Sequence, residues 1–269
     1  MKIHCSSILP VVILYNMDFY DSNVYKTLLC NYPAMTIVVY DNSPVAHKVC
    51  NDNIIYYHDE SNGGVSAGYN YGAEIAKKYD SFSALLLLDQ DTSFSADYIQ
   101  KLEKAIEELP NVGLFVPMVF YNKNKVFSPY KRGLLVRKNI VLDEGLHSLL
   151  KYMPVNSGAC IRLGAFEKVG GYSRSIMLDF ADIDFFSRMC KVTDKFYLIK
   201  SDSHQNFSND ETDYNKLRKR FDLFLKSGNA AKENPMIKNW VHFTMLKHSI
   251  ALSFRTRKLF FIHHFFKGI

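Results

Sequence analysis

The sequence predicts an α/β protein built on a mostly parallel sheet wound with helices on both faces. Three observations carry this. Nearly all-apolar runs of strand length recur along the first two thirds of the 269-residue chain. Helical segments alternate with them, and the connections are short. An apolar content of 48% with only 13 Gly and 8 Pro supplies a packed core. The length suits one large domain, or one domain with a smaller addition.

The elements follow in order. Ile8 to Leu14 is a first buried strand that ends at Tyr15-Asn16. Residues 20–30 read as a helix with Val24, Leu28 and Leu29 on one face. Thr36 to Tyr40 is a second strand, ending at Asp41-Asn42-Ser43, and Asn53 to Tyr57 a third. Asn62-Gly63-Gly64 leads into a helix over about 66–79, and Leu85 to Leu88 is the next strand. It stops at Asp89-Gln90-Asp91-Thr92-Ser93. Residues 95–108 form an amphipathic helix with Tyr98, Leu102 and Ile106 as its buried stripe, and 112–117 a strand.

From about 119 to 150 the pattern weakens. Lys131, Arg132, Arg137 and Lys138 alternate with apolar residues, which reads as a short strand pair or a loop. Order returns with a strand over Val155 to Arg162 and a helix over Leu163 to Val169, broken by Gly170-Gly171-Tyr172. Asp179, Asp182 and Asp184 lead a further helix. Residues 196–199 form a strand, and His204 follows it. A charged helix over 211–226 ends at Gly228-Asn229.

The net charge is +6, and after Glu233 there is no acid at all. Lys238, Lys247, Arg255, Arg257, Lys258 and Lys267 account for the whole excess, so the first 233 residues are balanced. This basic, aromatic end suits either the surface of an anionic bilayer or a helical subdomain packed on the core. Nucleic-acid binding is disfavoured because no recognised module accompanies the charge. The five cysteines (Cys5, Cys30, Cys50, Cys160, Cys190) are odd in number and lack a Cys-x-x-Cys pair, which fits a reducing compartment. Neither a signal peptide at Met1-Lys2-Ile3-His4 nor a membrane-spanning run is expected.

Three successive strand ends carry polar clusters: Tyr15-Asn16, Asp41-Asn42-Ser43 and Asp89-Gln90-Asp91. In a parallel sheet such ends share one edge, where open α/β sheets bind ligands. Asp89 and Asp91, one residue apart on an extended chain, project to one side. They suit a hard divalent cation on a phosphate-bearing substrate, or else an ordinary solvated turn. The glycine-rich helix start has the spacing of neither a P-loop nor a dinucleotide fingerprint. Its free N–H groups face phosphate or ribose, or its glycines serve only close packing. The acids at 179–184 are either helix-start carboxylates favoured by the dipole or include a general base. Asp182 and Asp184 lie about 200° apart around a helix, so they do different jobs.

The ordered set of Leu14-Tyr15-Asn16, Val39-Tyr40-Asp41-Asn42-Ser43, Asn62-Gly63-Gly64 with Gly68 and Asn70, Leu87-Leu88-Asp89-Gln90-Asp91-Thr92, Asn156-Ser157-Gly158, Gly170-Gly171-Tyr172, Asp179 to Asp184 with Arg188, and His204 resembles glycosyltransferase family 2. The likeness runs through about residues 8–210. It implies the A-type glycosyltransferase fold over 1–210, a nucleotide-sugar-binding and catalytic domain, with residues 211–269 as a helical basic and aromatic addition. The Leu-Asp-Gln-Asp-Thr turn is similar to that of the rhamnosyltransferase branch, which builds bacterial O-antigen and related surface polysaccharides.

By position, the resemblance assigns Tyr15, Asn16, Asp41, Asn42, Gly64, Asn70, Asp89 and Gln90 to the donor nucleotide. Asp89, Asp91 and His204 are assigned to Mg²⁺ or Mn²⁺, with Asp91 the more direct ligand. Asp182 corresponds to the catalytic base, and Ser157, Gly158 and Asp184 to the acceptor or sugar pocket. Asp184 stands where many members carry Glu, and Tyr40 where a small or apolar residue is usual. The activity implied is inverting, metal-dependent transfer of rhamnose from dTDP-rhamnose to a lipid-linked saccharide acceptor. The enzyme would be cytoplasmic and peripheral at the inner face of the bacterial cytoplasmic membrane. Rival readings are a transferase using UDP-galactofuranose or another UDP-hexose, a nucleotidyltransferase, and a non-catalytic nucleotide-sugar scaffold.

Overall fold

The strands alternate their side chains between two separate cores, and this arithmetic organises the molecule. In the computed structural model, residues 6–47, 49, 51–121, 125–133, 138–205 and 212–268 are described. Met1 to His4, Cys5, Cys50, Arg137 and the expected boundary at 210 fall outside the described residues. Leu9, Val11 and Ile13 join Val38, Tyr40, Leu85 and Leu87 in one apolar cluster. Ile8, Val12 and Leu14 join Ile37, Val39, Leu86 and Leu88 in the other. Period-two alternation on strands buried on both sides yields this division, and each face then needs a cover of helices.

The chain begins with β1 (Ile8–Leu14), α1 (Asn23–Thr27), β2 (Ile37–Asp41), β3 (Ile54–His58), α2 (Gly64–Lys77) and β4 (Ala84–Asp89). β5 (Thr92–Phe94), α3 (Tyr98–Glu108) and β6 (Leu114–Tyr121) follow. The described part of the stretch that reads as a strand pair or a loop, and the residues just after it, contribute short strands: β7 (Lys125–Ser128), β8 (Tyr130–Lys131), β9 (Lys138–Asn139), β10 (Gly145–Ser148) and β11 (Tyr152–Met153). Next come β12 (Cys160–Arg162), α4 (Leu163–Val169), α5 (Ala181–Met189) and β13 (Lys195–Gln205). The chain closes with α6 (Tyr214–Ala231), α7 (Lys238–Thr256) and α8 (Phe260–Lys267).

The large sheet has the order β10-β13-β6-β12-β4-β1-β2-β3, with β5 on β13 and β7 on β6. β1, β2, β3 and β4 pair in parallel, so their carboxyl ends share one edge. β12 enters antiparallel between β4 and β6, which makes the sheet mixed. A second, three-stranded sheet joins β11, β8 and β9. α2 and the later helices supply residues to the first core, α1 and α3 to the second.

Several elements depart from expectation for local reasons. The helix expected over 20–30 is a short 3₁₀ turn, α1 and another 3₁₀ turn. Asp18 and Ser22 each cap a new start, and Leu28 leaves the helical region at φ −121°. The strand expected from Val155 shortens to β12, because the loop before it is tied sideways to β4 through the Gly158 N–H on the Leu87 carbonyl. α6 runs through Gly228-Asn229 to Ala231. A Cβ on Gly228 would stand 2.4 Å from Met245 Sδ, so this glycine permits close helix contact and ends nothing.

Phe221, Leu225, Val241, Met245 and Phe261 belong to the first core, so α6, α7 and α8 pack on the body of the protein. Among the described residues no helix is long and apolar enough to cross a membrane. Cys30, Cys160 and Cys190 are free thiols.

Gly64 is the position where backbone conformation is most demanding. Its φ is +75°, and a Cβ there would lie 2.1 Å from the carbonyl oxygen of Met177. Gly64→Ala is therefore expected to destabilise the fold by about 3 kcal/mol, from left-handed strain and a backbone clash together. Urea unfolding measures this, and a change under about 0.5 kcal/mol would mean that the turn relaxes freely.

Candidate active site

β4 delivers Asp89 at the carboxyl edge of the sheet, in line with the inward-facing Leu85 and Leu87. α2 packs against β1 and β4, and its buried Tyr69 donates its hydroxyl to Asp89 Oδ1 at 2.9 Å. Ser157 donates a short hydrogen bond to Asp89 Oδ2. Both carboxylate oxygens of Asp89 are thus engaged. Asn23 fastens the turn beyond, its N–H on the Gln90 carbonyl at 2.8 Å and its amide on the Asp91 carbonyl at 3.0 Å. Asp91 Oδ1 has Gln205 Nε2 at 3.5 Å.

Burial raises the Asp89 carboxyl above the ordinary carboxylate range, against the pull of Ser157 and Tyr69. Burial first, and then the charge of Asp89, pushes Asp91 up to about 6. Two acids that resist ionising side by side form a pair short of positive charge.

These acids open onto a cavity of about 480 Å³. Tyr15, Gln90, Asn156, Ser157, Asp182 and Gln205 also line it. Asp182 lies in the first turn of α5, two residues after Phe180 at φ 68°. Asp179 forms a two-pronged ion pair with Arg220 of α6, with Nη2 to Oδ1 at 2.8 Å, and both residues line the cavity. Asp179 is therefore no helix cap. Phe224, Trp240 and Thr244 bring α6 and α7 into the same wall.

The other expected site residues lie elsewhere, each with a stated partner. Asp41 is fully buried and does not line the cavity. Burial pushes its carboxyl up, but hydrogen bonds from Ser43, His47 and Tyr56 outweigh this and hold it down to about 2. Asn42 Oδ1 accepts the Gly64 N–H at 3.0 Å, and Asp59 Oδ2 accepts the Gly63 N–H at 2.7 Å. The Gly63 and Gly64 amides are thus satisfied within the protein, while Val65 of the same helix start lines the cavity. Asn16, at φ 52°, gives its N–H to Ser43 Oγ. Asn70 clasps the backbone of Tyr172 in both directions, at 2.8 and 2.9 Å.

Gln90 lines the cavity, but its side chain is occupied. Oε1 accepts the Tyr15 N–H at 2.7 Å and Nε2 donates to the Tyr15 carbonyl at 3.2 Å. Gly158 lies behind the wall, its carbonyl accepting the Tyr98 hydroxyl at 2.6 Å. Asp184 is 4% exposed and faces away from the cavity. It takes the Arg188 Nε at 2.9 Å and the Asn234 amide at 2.9 Å, so it is a packing acid. His204 is not among the cavity's walls. It lies within β13, exposed, with its ring on Phe120 at 5.6 Å. Strand alternation turns Gln205, its neighbour, toward Asp91 in its place.

The family model for glycosyl transferase family 2 matches residues 22–170, more than half of the chain. The chain belongs to glycosyltransferase family 2. No curated protein matches it in sequence. Among solved structures, this family 2 chain is similar to GalNAc-T7 with UDP, GalNAc and Mn2+, at 14% identity and a TM-score of 0.56. The match covers 77% of this chain and 45% of that one. It is also similar to S. aureus TarS 1-349 in complex with UDP, at 12% identity and a TM-score of 0.54, covering 84% of this chain and 65% of that one. At these identities the likeness is one of fold, and it agrees with an A-type glycosyltransferase architecture. The chain spans less than two thirds of the length of either.

The residues at the cavity fit a divalent cation. Among the described residues no group of three or more His, Cys, Asp or Glu is arranged to hold a metal. Two buried oxygens close to Asp91 in the chain or through Gln205 lack a hydrogen-bond partner, Thr92 Oγ1 and Gln205 Oε1, and Thr92 and Gln205 sit opposite each other where β5 meets β13. One or two carboxylates with neutral oxygens suit a hard ion that takes its remaining ligands from diphosphate and water. Gln205, Arg220 and Trp240 escaped the sequence reading because no local spacing marks them.

Proposed function

We propose that this family 2 chain is an inverting, metal-dependent glycosyltransferase acting on a nucleotide-sugar donor. One observation carries the reading: a single cavity is lined both by the Asp89–Asp91 pair and by Asp182. Asp89 and Asp91 would hold Mg²⁺ or Mn²⁺ on the donor diphosphate. The ion supplies Lewis-acid stabilisation of the negative charge that develops on the leaving phosphate. Asp182 takes the proton from the acceptor hydroxyl as its oxygen attacks the anomeric carbon. Attack from the side opposite the departing nucleoside diphosphate inverts that carbon. The body of β4, locked by Tyr69 and Ser157, keeps Asp89 fixed while this happens.

The donor proposed is dTDP-rhamnose, on the likeness of the Asp89-Gln90-Asp91-Thr92 turn to the rhamnosyltransferase branch. UDP-galactofuranose and other UDP-hexoses stay in contention, since GalNAc-T7 and TarS were both solved with UDP. Incubation with each nucleotide sugar, Mn²⁺ and a lipid-linked saccharide tests the proposal. Release of nucleoside diphosphate with glycosylated product supports it. Consumption of a sugar phosphate and a nucleoside triphosphate instead would make the chain a nucleotidyltransferase.

The acceptor proposed is lipid-linked, with the enzyme peripheral at the inner face of the bacterial cytoplasmic membrane. Phe243, Ile250 and Phe254 are exposed along one face of α7, with Lys247 among them and Arg257 at its end. Apolar and basic side chains on one helix face match an anionic bilayer. Phe254→Ser should weaken sedimentation with phosphatidylglycerol vesicles several-fold, and neutral vesicles should bind poorly. Equal binding of the variant and the wild type would remove this face from the proposal.

A further inference from the structure

A second cavity of about 280 Å³ adjoins the first and shares Ile183 and Trp240 with it. Met153, Met236 and Ile237 make most of the rest of its wall apolar, and Arg132 is its one charged residue. The small β11-β8-β9 sheet positions that arginine, whose N–H donates to the Lys151 carbonyl at 2.8 Å.

Arg132 is poorly satisfied for a guanidinium. Among the described residues Nη2 finds only sulfur, Met153 Sδ at 3.7 Å and Cys190 Sγ at 3.5 Å, and sulfur is a weak acceptor. Its Nε is buried with no partner. Among the described residues, other arginines at comparable depth are provided for. Arg188 has Asp184, Arg220 has Asp179, and Arg162 has the carbonyls of Ile106, Leu109 and Val112. A guanidinium stays charged at all working pH and pairs best with a planar or tetrahedral oxyanion.

We infer that this second cavity is an acceptor subsite for an acidic group, carboxylate or phosphate, carried on the acceptor saccharide. The inference rests on the proposed glycosyl transfer. The reacting hydroxyl lies in the first cavity at Asp182, the acceptor passes along the shared wall of Ile183 and Trp240, and its oxyanion meets Arg132. The indole of Trp240 offers the sugar a flat apolar face beside the charge.

Trp240 is the only tryptophan in the chain, so its fluorescence reports from the wall between the two cavities. The full chain is titrated with methyl β-D-glucuronide, glucose 1-phosphate and methyl β-D-glucoside. At least one acidic probe should change Trp240 emission saturably, with an affinity ten-fold or more above that of the neutral glucoside. The tighter of the two acidic probes tells carboxylate from phosphate. Arg132→Met should abolish the preference and leave the binding of UDP or dTDP with Mn²⁺, measured by calorimetry, unchanged. Should that variant not fold, Arg132→Gln carries the same comparison. Equal response to acidic and neutral probes, or a preference that survives loss of the guanidinium, overturns the subsite and leaves the proposed function standing. A wild type that binds neither nucleotide overturns both.

Discussion

Asp182→Asn is expected to lower glycosyl transfer by about 10²–10⁴-fold, the usual contribution of a positioned general base. Donor nucleotide affinity should stay within about two-fold of the wild type. The amide is nearly isosteric with the carboxylate. Its oxygen can still accept the Ile183 N–H that Asp182 Oδ1 accepts at 2.7 Å, so the start of α5 is preserved. What is lost is basicity. Turnover with donor and acceptor, set beside calorimetry with the nucleotide alone, separates the two effects. Near-normal turnover would rule out Asp182 as the base. Asp184→Asn is the contrasting control. Asp184 is buried against Arg188, whose Nη1 also donates to the carbonyls of Val169 and Gly171 at 2.9 Å each. Losing that carboxylate leaves a partly buried guanidinium without its counter-charge and should cost about 2 kcal/mol of stability. Two acids one residue apart on either side of Ile183 thus differ in kind, as the 200° separation on a helix requires.

That separation was legible in the sequence, as was the strand that ends at Asp89. Both follow from short-range periodicity. The parity that sends Leu85 and Leu87 to one core and Leu86 and Leu88 to the other also fixes the side on which Asp89 emerges. What escaped was set by long-range partners. Arg220 meets Asp179 from 41 residues away, and nothing in either neighbourhood announces the pairing. Asn42 and Asn70 read as ligand-facing side chains, and the structure has Asn42 Oδ1 and both ends of the Asn70 amide on backbone groups of distant turns, at Gly64 and Tyr172. The strands between 125 and 153 are two to four residues long, too short to display alternation. His204 and Gln205 show how little separates two readings. Extending β13 by a few residues beyond Ile199 assigns the two side chains to opposite faces, and the glutamine takes the inward one.

The second large effect is expected at Asp91. Asp91→Asn should abolish the gain in nucleotide affinity that Mg²⁺ or Mn²⁺ confers, a loss of ten-fold or more, or at least about 1.4 kcal/mol. The variant should then match the wild type treated with a chelator. Asp89 has Tyr69 on one oxygen and Ser157 on the other, which leaves it little freedom to turn toward a cation. Asp91 has on its side chain its own backbone N–H and the long Gln205 contact, and its carboxyl is pushed up to about 6, by burial first and then by the charge of Asp89. A cation relieves that repulsion most directly at Asp91, so removing this charge removes the reason for the ion to bind. Asp89→Asn should show the smaller metal effect, because its hydroxyl partners still hold the side chain in position. If Asp91→Asn keeps full metal-dependent affinity while Asp89→Asn loses it, the two roles are reversed, and the hydroxyls of Tyr69 and Ser157 orient the ligand itself.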